Sequence, residues 1–292
     1  MKALWAVEPF HQDKKRVKGM HNLLKQFVSK PAHIEVGFIV TRHENELSLA
    51  FDIPFEERFS TYPRKILKSS LRKSKVTIED KNIHIVDYET YSTTKATDRF
   101  LSLAKSRGSD LIALYTHARH GFIRFTLGSF AETAIHRSKA SLLLVNPRTN
   151  FSPKVKRIFY ASDFSPSAKK NLKKVIKICQ QLKSDLIVFH QAEVIYKWSL
   201  DESNPKIHAY RRKVKRMQNW IEQECKLEGI FSKVIVNSEF MGTTDLILKN
   251  ANKEKADLIV VSAKTGPVAA LMGGSITRHV VRGSSKPVLI LK

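Results

Sequence analysis

The chain has only two cysteines, Cys179 and Cys225. Neither belongs to a CxxC pair or stands beside a pair of histidines, so the common zinc and dithiol patterns are excluded and two buried free thiols are expected. No run of about 18 apolar residues occurs, and no membrane-spanning helix is predicted. MKALWAVEPFHQDKK has only a brief apolar stretch before Glu8 and lacks the apolar core and cleavage site of a signal peptide. A cytoplasmic protein without membrane insertion is expected. GxxxxGK[ST], GxSxG and HExxH are all missing, which removes the familiar phosphate-loop, serine-hydrolase and zinc-protease signatures.

Acidic residues are also scarce: 27 against 51 Lys and Arg, a formal net charge of +24. The excess is spread along the chain, with 25 basic against 15 acidic residues in residues 1–150 and 26 against 12 in the rest. A strongly positive surface attracts polyanions weakly and in a salt-dependent way. No DNA-reading helix pair or aromatic RNA platform accompanies it. The basic runs KKRVK (14–18), KKNLKK (169–174) and RRKVKR (211–216) therefore read as solvated helix faces, with a polyanion-binding surface as an alternative.

The sequence does contain a duplication. LGSFAETAIHRSKASLLLVN (127–146) and GGSITRHVVRGSSKPVLILK (273–292) align Gly128, Ser129, Ser138 and Leu143 with Gly274, Ser275, Ser284 and Leu289 at a constant offset of 146, half of the 292 residues. SDLIAL (109–114) precedes the first copy as ADLIVV (256–261) precedes the second. A repeat at this period predicts two domains, 1–148 and 154–292, each long enough to bury one core.

The second half reads as alternating strands and helices. KRIFYASDF (156–164) is β-rich, and Leu172, Val175, Ile176, Cys179 and Leu182 then recur at helical spacing. Ser165 or Ser167 suits the cap of that helix and Pro166 its first turn. DLIVFHQAE (185–193), a basic helix over 205–228, FSKVIVNSE (231–239), a helix over 242–255, DLIVVSA (257–263), a helix from Gly274 and PVLIL (287–291) follow. The first half repeats the order from ALWAV to SLLLV, giving five strands and four helices per half. Such alternation predicts an α/β fold with parallel, doubly wound sheets and right-handed crossovers.

ASDFSPSAKKNLKKVIKICQQL, the pair DLIVVSAKTG and DLIALYTHARHG, and the two GS-helix-strand endings together resemble the universal stress protein family in its tandem form. The resemblance spans nearly the whole chain. It implies an adenine nucleotide alpha hydrolase-like fold, pairing of the halves as a pseudo-dimer through SLLLV (141–145) and PVLIL (287–291), and a non-catalytic stress-response or regulatory role. A slow ATP-hydrolysing switch is the competing expectation.

Nucleotide-binding members carry Gly, two residues, Gly, nine residues, then Gly followed by Ser or Thr. Backbone without side chains approaches phosphates closely, and a helix N-terminus adds partial positive charge. In the first half only Gly128 and Ser129 fit: Tyr115 and Ala118 stand where the other glycines belong, and Glu8 replaces the usual Asp. In the second half Asp163 matches the carboxylate near the base, and Gly274 and Ser275 keep the helix start. Val261 and Lys264, or Val260 and Ala263, occupy the earlier glycine positions. Gly266, Gly273 and Lys264 suit a phosphate loop of altered length, with Lys264 as a point charge. The implied ligand is ATP or AMP, held by Asp163, Lys264, Gly266, Gly273, Gly274 and Ser275. The bland alternatives are that the glycines permit a tight turn, the serines cap helices and Asp163 starts a turn. His117 and His120 read as solvated loop residues, and His190 as a satisfied residue at a strand end.

Overall fold

The computed structural model describes residues 1–9, 13–40, 61–87, 92–116, 128–192, 204–262 and 275–292. The chain divides into two compact units, Met1–Pro153 with Lys292, and Lys154–Leu291.

The first unit runs β1 (Ala3–Ala6), α1 (Lys14–Phe27), β2 (Ile34–Val40), α2 (Thr61–Lys73), β3 (Ile83–Asp87), α3 (Thr93–Ser106), β4 (Leu111–Tyr115), α4 (Ser129–Arg137) and β5 (Ser141–Val145). Its strand order is β3-β2-β1-β4-β5 and every pairing is parallel. α1 starts where Asp13 accepts a hydrogen bond from Lys15 N–H, and its buried face is Val17, Met20, Leu23, Leu24 and Phe27. Each such side chain contributes about 1.5–3 kcal/mol of burial. Gly37 on β2 lets α3 approach closely: a Cβ there would lie 2.6 Å from Phe100 Cε2.

β2 also carries one acid, Glu35, into the interior. It accepts hydrogen bonds from Arg107 Nε (2.7 Å) and Nη2 (3.1 Å) and from His84 Nε2 (2.6 Å). Burial pushes the Glu35 carboxyl up, but the bonds to Arg107 and His84 outweigh it and hold the group below its ordinary range.

The second unit runs β6 (Arg157–Ala161), α5 (Pro166–Leu182), β7 (Asp185–Gln191), α6 (Pro205–Leu227), β8 (Ser232–Asn237), α7 (Thr243–Lys253), β9 (Leu258–Ser262), α8 (Ser275–Gly283) and β10 (Val288–Leu291). The order β10-β9-β6-β7-β8, again all parallel, repeats that of the first unit. α5 is capped by Ser165, whose side chain accepts from Ala168 N–H, and Pro166 opens its first turn. Leu172, Val175, Ile176, Cys179 and Leu182 are buried at the predicted spacing.

α6 buries less of itself than α5. Of its periodic apolar residues only Ile207 and Ile221 are buried, along with Cys225, while Val214, Met217 and Trp220 stay partly exposed. The reason is positional: α6 leads to β8, the outermost strand of its sheet, and packs against that strand.

The duplicated residues prove largely architectural. Asp110 accepts from Lys2 N–H at 2.9 Å, and Asp257, its repeat, accepts from Lys156 N–H at 2.8 Å and Arg157 N–H at 3.1 Å. Each Asp thus ties the start of a central strand to the start of its neighbour. Ser138 and Ser284 donate to the carbonyls of Ala140 and Lys286, closing the turn between last helix and last strand in each unit. Cys179 and Cys225 are buried free thiols. No described helix is long and apolar enough to cross a membrane.

Candidate functional site at the carboxyl ends of the central strands

In a doubly wound sheet, the first strands leave toward one edge and later ones return toward the other, opening a crevice at the carboxyl ends where the order reverses. That point lies between β6 and β9 in the second unit and between β1 and β4 in the first.

In the second unit a hydroxyl pair spans the crevice. Tyr160 on β6 and Ser262 on β9 approach to 2.8 Å, and the Tyr160 hydroxyl also donates to the Ala168 carbonyl at 3.2 Å. Burial pushes the Tyr160 phenol up from its ordinary range. Beyond β6 the chain turns through Ser162, Asp163 and Phe164 into α5. Ser162 Oγ accepts from Phe164 N–H at 3.2 Å, and Asp163 Oδ1 accepts from Ser165 N–H at 3.0 Å.

Phe164 sits at φ 54°, in the left-handed region that bulky residues rarely occupy. Its ring is buried and stacks on His190, with centroids 4.1 Å apart and planes at 11°. His190 Nδ1 lies 2.9 Å from the Ser162 carbonyl, to which it donates, and Nε2 accepts from the Tyr210 hydroxyl at 2.8 Å. His190 is therefore the satisfied strand-end residue expected, but it also fixes the Ser162–Phe164 turn from below.

Of the six predicted ligand residues, Asp163 stands exposed at the carboxyl end of β6 and Ser275 is the first residue of α8. Lys264, Gly266, Gly273 and Gly274 lie outside the described residues.

In the first unit Gly128 is the N-cap of α4 and makes no side-chain capping bond; Ser129 is the first helical residue, not the cap. The capping role read for Ser129 is thereby corrected: the chain turns into α4 one residue earlier. His117, Ala118 and His120 lie outside the described residues.

Arg16 is the unexpected feature. It belongs to the run KKRVK, whose lysines are exposed, yet its guanidinium turns inward, 5.8 Å above the Tyr115 ring, while the Tyr115 hydroxyl donates to the Arg16 carbonyl at 2.7 Å. Arg16 Nε and Nη2, and Trp5 Nε1 on β1, are buried without a hydrogen-bond partner among the described residues. Burial lowers the Arg16 pKa, offset in part by Tyr115 and Asp13. Nothing in the spacing of KKRVK marks its third residue as different. Phe164, His190 and Tyr210 were equally hidden, since their contact joins residues far apart in sequence. A separate depression of about 530 Å³ beside β3 has Ile83, Ile85, Val86, Arg64 and Arg99 in its lining.

Two units, each with five parallel strands wound with helices and a crevice at the carboxyl ends of its central strands, define a tandem doubly wound α/β protein. The family model of the universal stress protein family matches residues 54–146 and 154–292. The chain belongs to this family, carries two of its domains and has its adenine nucleotide alpha hydrolase-like fold.

Among solved structures, a universal stress protein from Archaeoglobus fulgidus DSM 4304 is similar at 16% identity and a TM-score of 0.63, with 99% of this chain and 96% of that chain covered. A functionally unknown protein from Pseudomonas aeruginosa PAO1 is similar at 16% identity and a TM-score of 0.63, with 100% and 92% covered. A search of curated proteins finds no significant match.

Proposed function

We propose that the protein is a regulatory, non-catalytic module of the stress response that binds an adenine nucleotide in the crevice of its second domain, residues 154–292. The observation that carries this reading is the prepared turn at Ser162–Phe164. It is held by Phe164 stacking on His190 and by the Asp163 and Ser162 side-chain bonds, and it stands in front of the N-terminus of α5. A rigid turn keeps Asp163 in place before a ligand arrives, so binding spends less on ordering. Asp163 faces the ribose and base end, while Lys264, Gly266, Gly273, Gly274 and Ser275 receive the phosphates, aided by the N-terminus of α8.

A second reading is favoured by Arg16. A guanidinium with two buried nitrogens lacking partners, over the Tyr115 ring, suits an anionic ligand in the first domain, residues 1–148.

Calorimetric titration of the purified chain with ATP, together with mass spectrometry of any small molecule released on denaturation, tests both. Loss of binding in Gly274→Val with Arg16→Gln unaffected supports the second-domain site. The reverse pattern moves the ligand to the first domain, and a chain that retains no nucleotide and gives no heat with ATP defeats both. Phosphate release from bound ATP at a steady rate would replace the non-catalytic role with the hydrolysing switch. The pseudo-dimer pairing of Ser141–Val145 with Val288–Leu291 belongs to the same proposal and is tested by disulfide cross-linking of cysteines placed along these two strands.

A further inference from the structure

The outer margin of the second unit has no part in the ligand reading. β8 ends its sheet and, among the described residues, pairs only with β7. It is the one described strand without a buried residue. The Phe231 carbonyl accepts from Leu186 N–H and the Asn237 carbonyl from Ala192 N–H, at 2.9 and 2.8 Å. In a parallel ladder alternate residues turn their N–H and C=O toward the same neighbour, so Ser232, Val234 and Val236 present theirs outward.

Exposed apolar residues stand at both ends of β8 and on it. Leu227, Phe231, Val236, Phe240 and Met241 are all exposed, Leu227 and Phe240 by 84% and 76%; the other large apolar residues exposed among the described ones are Met1 and Ile276. Scattered apolar residues are ordinary, whereas five of the seven exposed ones falling within residues 227–241, on and around an edge strand, point to an interaction surface. Edge strands are commonly guarded by an outward lysine. Here Lys233, the one charged residue of β8, is drawn back onto Glu254 by two bonds of 2.8 and 2.9 Å.

We propose that the β8 edge receives an extended segment of an acidic partner protein, added to the sheet as a further strand. Backbone pairing supplies affinity in this mode and alternate side chains supply specificity. The acidic character follows from charge: α6, which ends at Leu227, carries seven Lys and Arg against two Glu, and the whole chain is +24. A second copy brings another +24 to the contact. A nucleic acid meets the charge but uses neither the open backbone row nor the apolar side chains.

The test uses the full chain and a fluorescein-labelled eight-residue peptide of alternating Glu and Val, followed by anisotropy at low and physiological salt. A peptide of the same length and charge in which two of the Val are replaced by Pro serves as control. Saturable binding of the first peptide and not the second is expected. Val234→Pro removes an outward N–H while leaving the bonds to β7, a position where edge strands accept proline. Phe231→Ser removes an exposed anchor without disturbing the core. Each is expected to weaken binding by about tenfold or more, with Ile276→Ser unchanged. Should Val234→Pro fail to fold, Phe231→Ser decides.

Absence of binding by the alternating peptide, equal binding of the proline-interrupted peptide, or full affinity in Phe231→Ser overturns the proposal. So does a dimer by sedimentation that Val234→Pro dissociates, because the occupant is then a second copy. Whether ATP binds has no bearing on these outcomes.

Discussion

Phe164 offers a test in which the usual ranking of two substitutions should reverse. In most of a protein, alanine is preferred to glycine by about 0.5–1 kcal/mol, because glycine loses more backbone freedom on folding. Phe164 lies at φ 54°, where any residue with a Cβ bears a cost of about 1–2 kcal/mol that glycine avoids. Phe164→Ala removes a buried ring stacked on His190 and keeps the backbone penalty, for an expected loss of about 3–5 kcal/mol. Phe164→Gly loses the same ring but relieves the strain, so it should be more stable than the alanine variant by about 1 kcal/mol. Urea unfolding followed by circular dichroism, with both variants measured beside the parent chain, reads the difference as a shift in midpoint. An alanine variant more stable than the glycine one, or a loss below about 1 kcal/mol for Phe164→Ala, refutes the account of the turn. Weakened ATP binding in both variants would link the turn to the ligand.

Other outcomes follow from single sites. Gly37→Ala, whose Cβ would sit 2.6 Å from Phe100, should destabilise the first unit by about 1–3 kcal/mol by overpacking; Phe100→Leu in the same chain should recover part of the loss in thermal unfolding. Glu35 has a folded pKa below its unfolded value, so its contribution is complete above the ordinary glutamate range and is lost as pH falls through the folded value. Stability measured against pH should therefore decline on the acid side, and Glu35→Gln should flatten that part of the decline while lowering stability at pH 7. Burial raises the pKa of both Cys179 and Cys225, so a thiol reagent such as DTNB should leave the folded chain untouched and modify two thiols only when urea unfolds it.

The order of elements was legible because buried parallel strands write themselves as continuous apolar runs, and DLIVFHQ and DLIVV are such runs. The repeat at an offset of 146 then placed the second unit's architecture onto the first. What escaped was anything set by contact between distant residues. IEVGFIV reads as a core strand with one misplaced acid, and only the approach of His84 and Arg107, 49 and 72 residues away, explains it. KKRVK reads as a uniform basic face, yet the third position turns inward above Tyr115. SKVIVN reads as an ordinary strand, since its pattern does not say whether a neighbour lies beyond it. Asp163 was visible as a turn residue, while the left-handed backbone of Phe164 was not, because a phenylalanine gives no local signal for it.

The bonds from Asp110 to the start of β1 and from Asp257 to the start of β6 bear on how the chain is made. Each central strand waits for a partner about 100 residues later, so at ribosomal rates of 5–20 residues per second one side of it is open for about 5–20 s. During that interval ALWAV and RIFYA are apolar segments with a vacant hydrogen-bonding side, emerging twice in every round of translation. Cells short of chaperone capacity should lose this protein to aggregation during synthesis, even when the finished fold is stable.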